Sequence, residues 1–110
     1  MSEQNFLCTY SVKTREQETL SEEKQAQGNA DRIRRDIKDL DEWDNVEDIE
    51  TTFTGCLNLS GSIAQKRSEA KSIIKSKMRE IVDDYDAYCD VDIECAFMVD
   101  GLGKIIKFSI

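Results

Sequence analysis

The residues of this sequence that could do chemistry are carboxylates, basic side chains and cysteines, because the chain contains no histidine. An imidazole is the usual general base near neutral pH and a frequent zinc ligand, so histidine-dependent triads and histidine metal sites are excluded. Carboxylates predominate: 23 Asp and Glu oppose 15 Lys and Arg, which gives a formal net charge of −8. Such a charge repels phosphate backbones and attracts basic partners.

Carboxylates form two zones without a basic side chain, seven between residues 39 and 50 and seven between residues 80 and 94. Acidic side chains at the C-terminal end of a helix are unfavourable, because they face the negative end of the helix dipole. Asp83, Asp84 and Asp86 stand at the C-terminal end of the second predicted helix, and accepting this cost indicates an acidic patch that contacts a basic partner. The alternatives are that these acids are solvated surface, or that the helix ends at Val82. The spacing does not match a calcium-binding loop, and we expect no metal or other cofactor. The predicted partner-binding residues are Asp83, Asp84, Asp86, Asp90, Asp92 and Glu94.

Basic side chains concentrate on the second predicted helix and suggest a different function. Between residues 66 and 79, Glu69 is the only acid among six basic residues. One basic helix can contact RNA even in an acidic protein, although the net charge and the lack of interleaved aromatic residues disfavour general binding to nucleic acid. The alternative RNA-binding residues are Lys71, Lys75, Lys77 and Arg79.

The four cysteines contain no Cys-x-x-Cys pair, which disfavours a zinc ribbon or a thioredoxin-type site. Cys8, Cys89 and Cys95 fall on predicted inward strand faces, where a free thiol acts as a small apolar side chain, whereas Cys56 falls on an outward face. The N-terminus lacks the features of a secretion signal, so we expect a cytoplasmic protein with free thiols. A nucleophile at Cys56 would have no histidine base, and we expect no enzymatic activity.

Alternation of apolar and polar residues predicts the strands that position these side chains. One strand covers residues 5–13. A longer one covers 46–60, with Ile49 pointing inward and Glu50 outward. A weaker signal near Trp43 predicts a short strand that pairs back on the second.

Apolar residues at steps of three and four predict two amphipathic helices, over residues 20–41 and 62–86. Each begins at a capping pattern: Thr19 is followed three residues later by a Glu, and Ser62 by a Gln. Both helices therefore present one apolar stripe to a core.

The last segment predicts a hairpin. Residues 89–99 alternate, and a two-residue type II′ turn at Gly101-Leu102 returns the chain as a final strand. This register pairs Cys95 with Phe108 and Phe97 with Ile106, so apolar residues meet apolar residues across the strands.

The order of elements predicts an α+β, two-layer sandwich in which two helices pack on one face of a mainly antiparallel sheet. With the short strand near Trp43, this becomes a ferredoxin-like plait with an extra C-terminal strand. We expect a single domain over residues 1–110, and no membrane span, because no run of 18 apolar residues occurs. The face without helices would carry Leu7, Thr9, Thr52, Thr54, Cys56, Ala96, Met98 and Ile105.

Together these features predict a non-enzymatic, cytoplasmic domain for protein–protein interaction. Its acidic and sheet surfaces would recognise a protein partner. The more specific form of this hypothesis is an acidic inhibitor or immunity-type protein that binds a basic target. Self-association through the sheet face, giving a homodimer, is a second form of the same hypothesis. An antiparallel sheet face that stays solvated is the alternative.

Overall fold

The computed structural model describes residues 2–49, 51–87 and 89–110. Within them the chain forms two helices and a five-stranded antiparallel sheet, which confirms the α+β class. Glu50, predicted to point outward from a strand, lies outside the described residues. The elements are β1 (Ser2–Thr14), α1 (Leu20–Lys38), β2 (Asp44–Asn45), β3 (Thr52–Leu59), α2 (Ile63–Asp84), β4 (Val91–Val99) and β5 (Ile106–Ser109).

The strands lie in the order β2-β3-β1-β4-β5. The long strand β1 is central and pairs antiparallel with β3 on one side and β4 on the other. The short strand predicted near Trp43 is present as β2, where Asp44 pairs with Thr54 of β3. Strand β5 pairs with β4 at the opposite edge.

Both helices begin at the predicted caps. The Thr19 hydroxyl accepts a hydrogen bond from the backbone N–H of Glu22 at 3.1 Å. At the start of α2 the Ser62 hydroxyl accepts from the N–H of Gln65 at 3.2 Å, and the Gln65 side chain accepts from the N–H of Ser62 at 2.7 Å. These bonds satisfy N–H groups that have no partner within the helix.

Both helices are shorter than predicted at their C-terminal ends. α1 stops at Lys38 and α2 at Asp84, each two or three residues before the predicted end. After α2, Asp86 adopts φ of +50°, a left-handed conformation that a right-handed helix does not contain. This residue turns the chain toward β4.

Both helices pack against the same face of the sheet. The apolar residues of β1 on that face are buried, and Trp43 stacks on Phe53 with ring centroids 4.8 Å apart. Gly55 leaves the space that the rings of Trp43 and Phe6 occupy. The buried core from the helices consists of Ala26, Ala30, Ile33, Ile37, Ala70, Ile74, Met78, Ile81 and Val82.

Strand β3 begins later than predicted, and the inward placement of Ile49 was wrong. Ile49 is 50% exposed and sits in a tight turn. Its N–H donates to the carbonyl of Val46 at 3.1 Å, and Asp48 has φ of +66°. This left-handed residue interrupts the alternating pattern, so strand geometry starts only at Thr52.

The C-terminal hairpin has the predicted register but a different turn. Cys95 pairs with Phe108 and Phe97 with Ile106. The N–H of Leu102 donates to the carbonyl of Val99 at 3.1 Å, so the central residues are Asp100 and Gly101 rather than Gly101 and Leu102. Gly101 has φ of +79°, which suits the third position of a type II turn. The turn frees Leu102 to enter the core, where it is 3% exposed.

Candidate protein-binding surface

The sheet face opposite the helices, here called the open face, carries an apolar centre. Leu7 of β1 pairs directly with Met98 of β4, and Thr9 pairs with Ala96. Leu7 and Met98 are each 49% exposed, and Ile105, just before β5, is 51% exposed. These five residues line one shallow depression whose walls are almost wholly apolar.

Half of the most exposed large apolar side chains in the described residues meet in this depression. The other three are scattered: Leu20 and Ile63 begin the two helices, and Ile49 lies in the turn before β3. Single exposed apolar residues are normal on protein surfaces, whereas contiguous ones commonly mark interaction sites. The open face is therefore the strongest candidate surface.

The β3 part of the open face is more polar and is partly buried. Thr52 is buried, contrary to its predicted exposure, and its hydroxyl donates to that of Thr9 at 3.4 Å. Thr54 is half-buried, whereas Cys56 is exposed and its thiol donates to the side-chain oxygen of Asn5 at 2.8 Å. The accessible apolar surface thus lies over β1, β4 and the residue before β5.

Carboxylates outnumber lysines on the strands of the open face. Strand alternation and pairing place four acidic side chains on the open face, against two lysines among the described strand residues. All six are exposed. The acids are Glu3, Asp44, Asp92 and Glu94, and the lysines are Lys13 and Lys107.

The predicted partner-binding acids are divided between the two layers of the molecule. Asp92 and Glu94 alternate with the buried Ile93 and belong to the open face. An oxygen of Asp92 lies 3.1 Å from Nε of Arg15, and Glu94 accepts a hydrogen bond from the Ser109 hydroxyl at 2.6 Å. Each of these two acids thus contacts a neighbouring polar side chain and still remains exposed.

The other four predicted acids lie away from this surface. Asp83 and Asp84 form the end of α2 in the helical layer, so the helix does extend past Val82 into the unfavourable acidic end. Asp86 lies in the following turn. Asp90 accepts a hydrogen bond from the Asn29 side chain at 2.9 Å, which fastens α1 to the start of β4.

The basic residues of α2 also separate. Lys71, Lys75 and Arg79 follow one another at steps of four and therefore share one helix face. Lys77 lies on a different face, and its ammonium nitrogen contacts a Glu42 carboxylate oxygen at 2.9 Å. Three of the four alternative RNA-binding residues thus form one stripe.

The cysteines differ strongly in their surroundings. Cys8 and Cys95 are buried in the core as predicted, and their sulfur atoms are 2.9 Å apart. Cys95 hydrogen-bonds to Cys8, and this contact together with burial raises the pKa of the Cys8 thiol. The predicted burial of Cys89 was wrong: it is exposed, because the chain turns between α2 and β4 and strand geometry starts only at Val91.

Two long-range polar contacts carry no local sequence signal. An Nη atom of Arg67 on α2 donates to the carbonyls of Leu102 at 2.7 Å and Lys104 at 2.6 Å, which holds the hairpin turn against the helix. The Tyr85 hydroxyl donates to the Asp36 carboxylate at 2.5 Å and links the ends of the two helices. This hydrogen bond, followed by desolvation, raises the pKa of Tyr85.

Comparison with protein-family models, with curated proteins and with solved structures finds no match for this chain. Neither helix in the described residues combines the length and apolar character needed to cross a bilayer. Within the same residues, no three Cys, Asp or Glu side chains come together in an arrangement that could hold a metal ion.

Proposed function

We propose that this chain is a non-enzymatic protein-binding domain whose open face docks a partner protein. The partner would present an apolar centre surrounded by basic side chains. The observation that carries this proposal is the meeting of Leu7, Met98 and Ile105 in one apolar depression on the side of the sheet that no helix covers.

The partner's basic character follows from charge complementarity. Four carboxylates oppose two lysines on the strands of the open face, one of the four, Asp92, also pairs with Arg15, and the whole chain carries a net charge of −8. Complementary charges speed association and exclude unsuitable partners. A second copy of this chain would bring two acidic surfaces together, so a basic protein is favoured over a homodimer. An acidic inhibitor or immunity-type protein is the specific role that fits this chemistry.

The proposal is tested by affinity capture from the native cell with matched variants. Replacing Leu7 and Met98 by Ser removes the apolar centre without touching the core. Replacing Leu20 and Ile63 by Ser removes comparable exposed apolar surface from the helical layer. We expect the captured protein to be basic, to be lost with the first variant and to be retained with the second. Equal retention by both variants, or capture of this chain by itself alone, contradicts the proposal.

RNA binding through α2 is the second candidate, and one observation favours it. Lys71, Lys75 and Arg79 share a helix face with Ser72 and Ser76, which line a shallow depression with Lys75 and Arg79. Reversing the charges of Lys71 and Lys75 to Glu would abolish retention of RNA if this stripe binds it. The Leu7 and Met98 double variant would leave that retention unchanged, so the two functions are separable.

We also infer that the architecture is a ferredoxin-like plait extended by one strand. The element order β-α-β-β-α-β-β supports this interpretation. So does the antiparallel arrangement of the first four strands, in which β1 lies between β3 and β4, and β2 lies beyond β3. In this interpretation β5 widens the open face beside β4.

A further inference from the structure

We propose that Cys8 and Cys95 are the site of an intramolecular disulfide that links the two neighbouring strands β1 and β4. This covalent link is independent of the proposed protein-binding function. It would turn the centre of the sheet into a cross-linked unit directly beneath the open face.

The positions of the two cysteines favour the bond. Cys8 pairs with Phe97 and Tyr10 pairs with Cys95, so the cysteines are diagonal neighbours on adjacent antiparallel strands. Both side chains point into the core, and their sulfur atoms are already 2.9 Å apart. A disulfide bond is about 2.05 Å long, so the sulfurs need to approach by only about 0.9 Å. Diagonal neighbours have Cα atoms about 7–8 Å apart, just beyond the range usual for a disulfide, so forming the bond also draws the two strands slightly together.

The other two cysteines do not compete for the same bond. Cys56 and Cys89 are exposed, whereas Cys8 and Cys95 are 0% and 4% exposed. The chemical consequence is selectivity: an oxidant reacts first with the thiols on the surface, whereas a mixed disulfide formed at one buried cysteine is next to the other buried thiol, which displaces it.

The reaction requires an oxidant, for which a small disulfide such as oxidised glutathione suffices. One thiol loses its proton, and its sulfur attacks the glutathione disulfide, forming a mixed disulfide and releasing one reduced glutathione. The second thiol then loses its proton and attacks the protein sulfur of the mixed disulfide, which releases the second glutathione. The protein loses two hydrogens in total, and the oxidant's disulfide is reduced to two thiols.

Burial controls the rate of this exchange. The raised pKa of Cys8 leaves little thiolate at neutral pH, and the thiolate is the reacting form. Oxidation of the folded protein therefore depends on transient opening of the sheet or occurs while the chain folds. An equilibrium measurement, in which the chain is allowed to unfold and refold, avoids this kinetic barrier.

The experiment uses the full chain with Cys56→Ser and Cys89→Ser, so that only the buried pair remains. This variant is refolded from urea into glutathione buffers of graded redox ratio, quenched with N-ethylmaleimide and weighed by mass spectrometry. A parallel series is kept in denaturing urea. The disulfide is recognised by the loss of two hydrogens and by two missing maleimide adducts, and a further Cys8→Ser substitution provides the control without a pair.

We expect the equilibrium constant for disulfide formation in the folded protein to exceed that in urea by roughly 30- to 900-fold. This factor corresponds to the usual stabilisation of a folded protein by a disulfide that fits its geometry. A ratio of ten or more supports the proposal. A ratio below ten, including the case in which the folded chain keeps two free thiols or carries only glutathione adducts, overturns it.

Discussion

The packing around Gly55 gives the most quantitative prediction. Gly55 faces the core between two aromatic rings. A methyl group added there would stand 2.6 Å from Trp43 Cδ1 and 2.8 Å from Phe6 Cε1. Because both rings belong to a tightly packed aromatic cluster with Phe53, neither can move without disturbing the others. Gly55→Ala is therefore expected to destabilise the fold.

The magnitude follows from two opposing effects. Adding a methyl group to a well-packed core costs about 1–3 kcal/mol. Replacing glycine by alanine also restricts the unfolded chain, which returns about 0.4–1 kcal/mol. Because the added methyl group would stand 2.6 and 2.8 Å from the two rings, the upper part of that cost applies. The net loss in the free energy of unfolding is then about 1–2 kcal/mol, which lowers the Tm by about 4–8 °C for a chain of this size. Thermal and urea unfolding, followed by circular dichroism, measure both values.

Gly28 provides a matched control for the same substitution. It lies inside α1, and an added methyl group would meet only the end of the Arg32 side chain at 3.8 Å, an ordinary contact. Alanine is the better helix former by about 1 kcal/mol, so Gly28→Ala should raise the Tm. Opposite signs at the two positions are the expected result. A Gly55→Ala variant as stable as the wild type, or more so, would refute the reasoning about the aromatic cluster.

Three further predictions concern the polar contacts. Arg67→Met should lower stability by about 1–3 kcal/mol, because it leaves the part-buried carbonyl of Leu102 without its charged donor, and hydrogen exchange at the Leu102 amide should accelerate; unchanged exchange would contradict this role. Ser62→Ala should cost about 1 kcal/mol through the lost helix cap, and an unfolding free energy equal to that of the wild type would contradict the capping role. The hydrogen bond to Asp36 raises the pKa of Tyr85 in the folded state. The bond therefore stabilises the fold fully below the ordinary phenol pKa of 10.0, and this contribution is lost as the pH rises through the raised value. The variants Tyr85→Phe and Asp36→Asn should therefore lose less stability than the wild type when the pH rises above 10. Urea unfolding at graded pH measures this difference, and an unchanged pH dependence would contradict the role of the hydrogen bond between Tyr85 and Asp36.

Local patterns predicted the elements that depend on local chemistry. Thr19 and Ser62 begin the two helices because their hydroxyls reach N–H groups only three residues away. The hairpin register was predictable because it brings Cys95 opposite Phe108 and Phe97 opposite Ile106, whereas a shift by one residue would turn these apolar side chains to the other face. Periodicity therefore located the strands, the helical stripes and the composition of the open face.

Features that depend on the path of the chain were not predictable. Asp48 adopts a left-handed conformation that the alternating pattern does not reveal, and Ile49 is exposed as a result. The turn after β4 is displaced by one residue, which places Leu102 in the core. The acids were grouped by their proximity in sequence, whereas the structure separates Asp84 at a helix end from Glu94 on the open face.

The most direct test of the central claim compares two variants that each remove two negative charges. Asp92→Asn with Glu94→Gln alters the edge of the open face, and Asp83→Asn with Asp84→Asn alters the end of α2. The affinity of each for the captured partner is measured by titration calorimetry at low and high salt. We predict that the first variant binds more weakly and with a smaller salt dependence, while the second binds as the wild type does. The assignment of binding to the open face would be contradicted if the Asp83 and Asp84 variant bound more weakly while the Asp92 and Glu94 variant bound as the wild type does, or if both variants had equal effects.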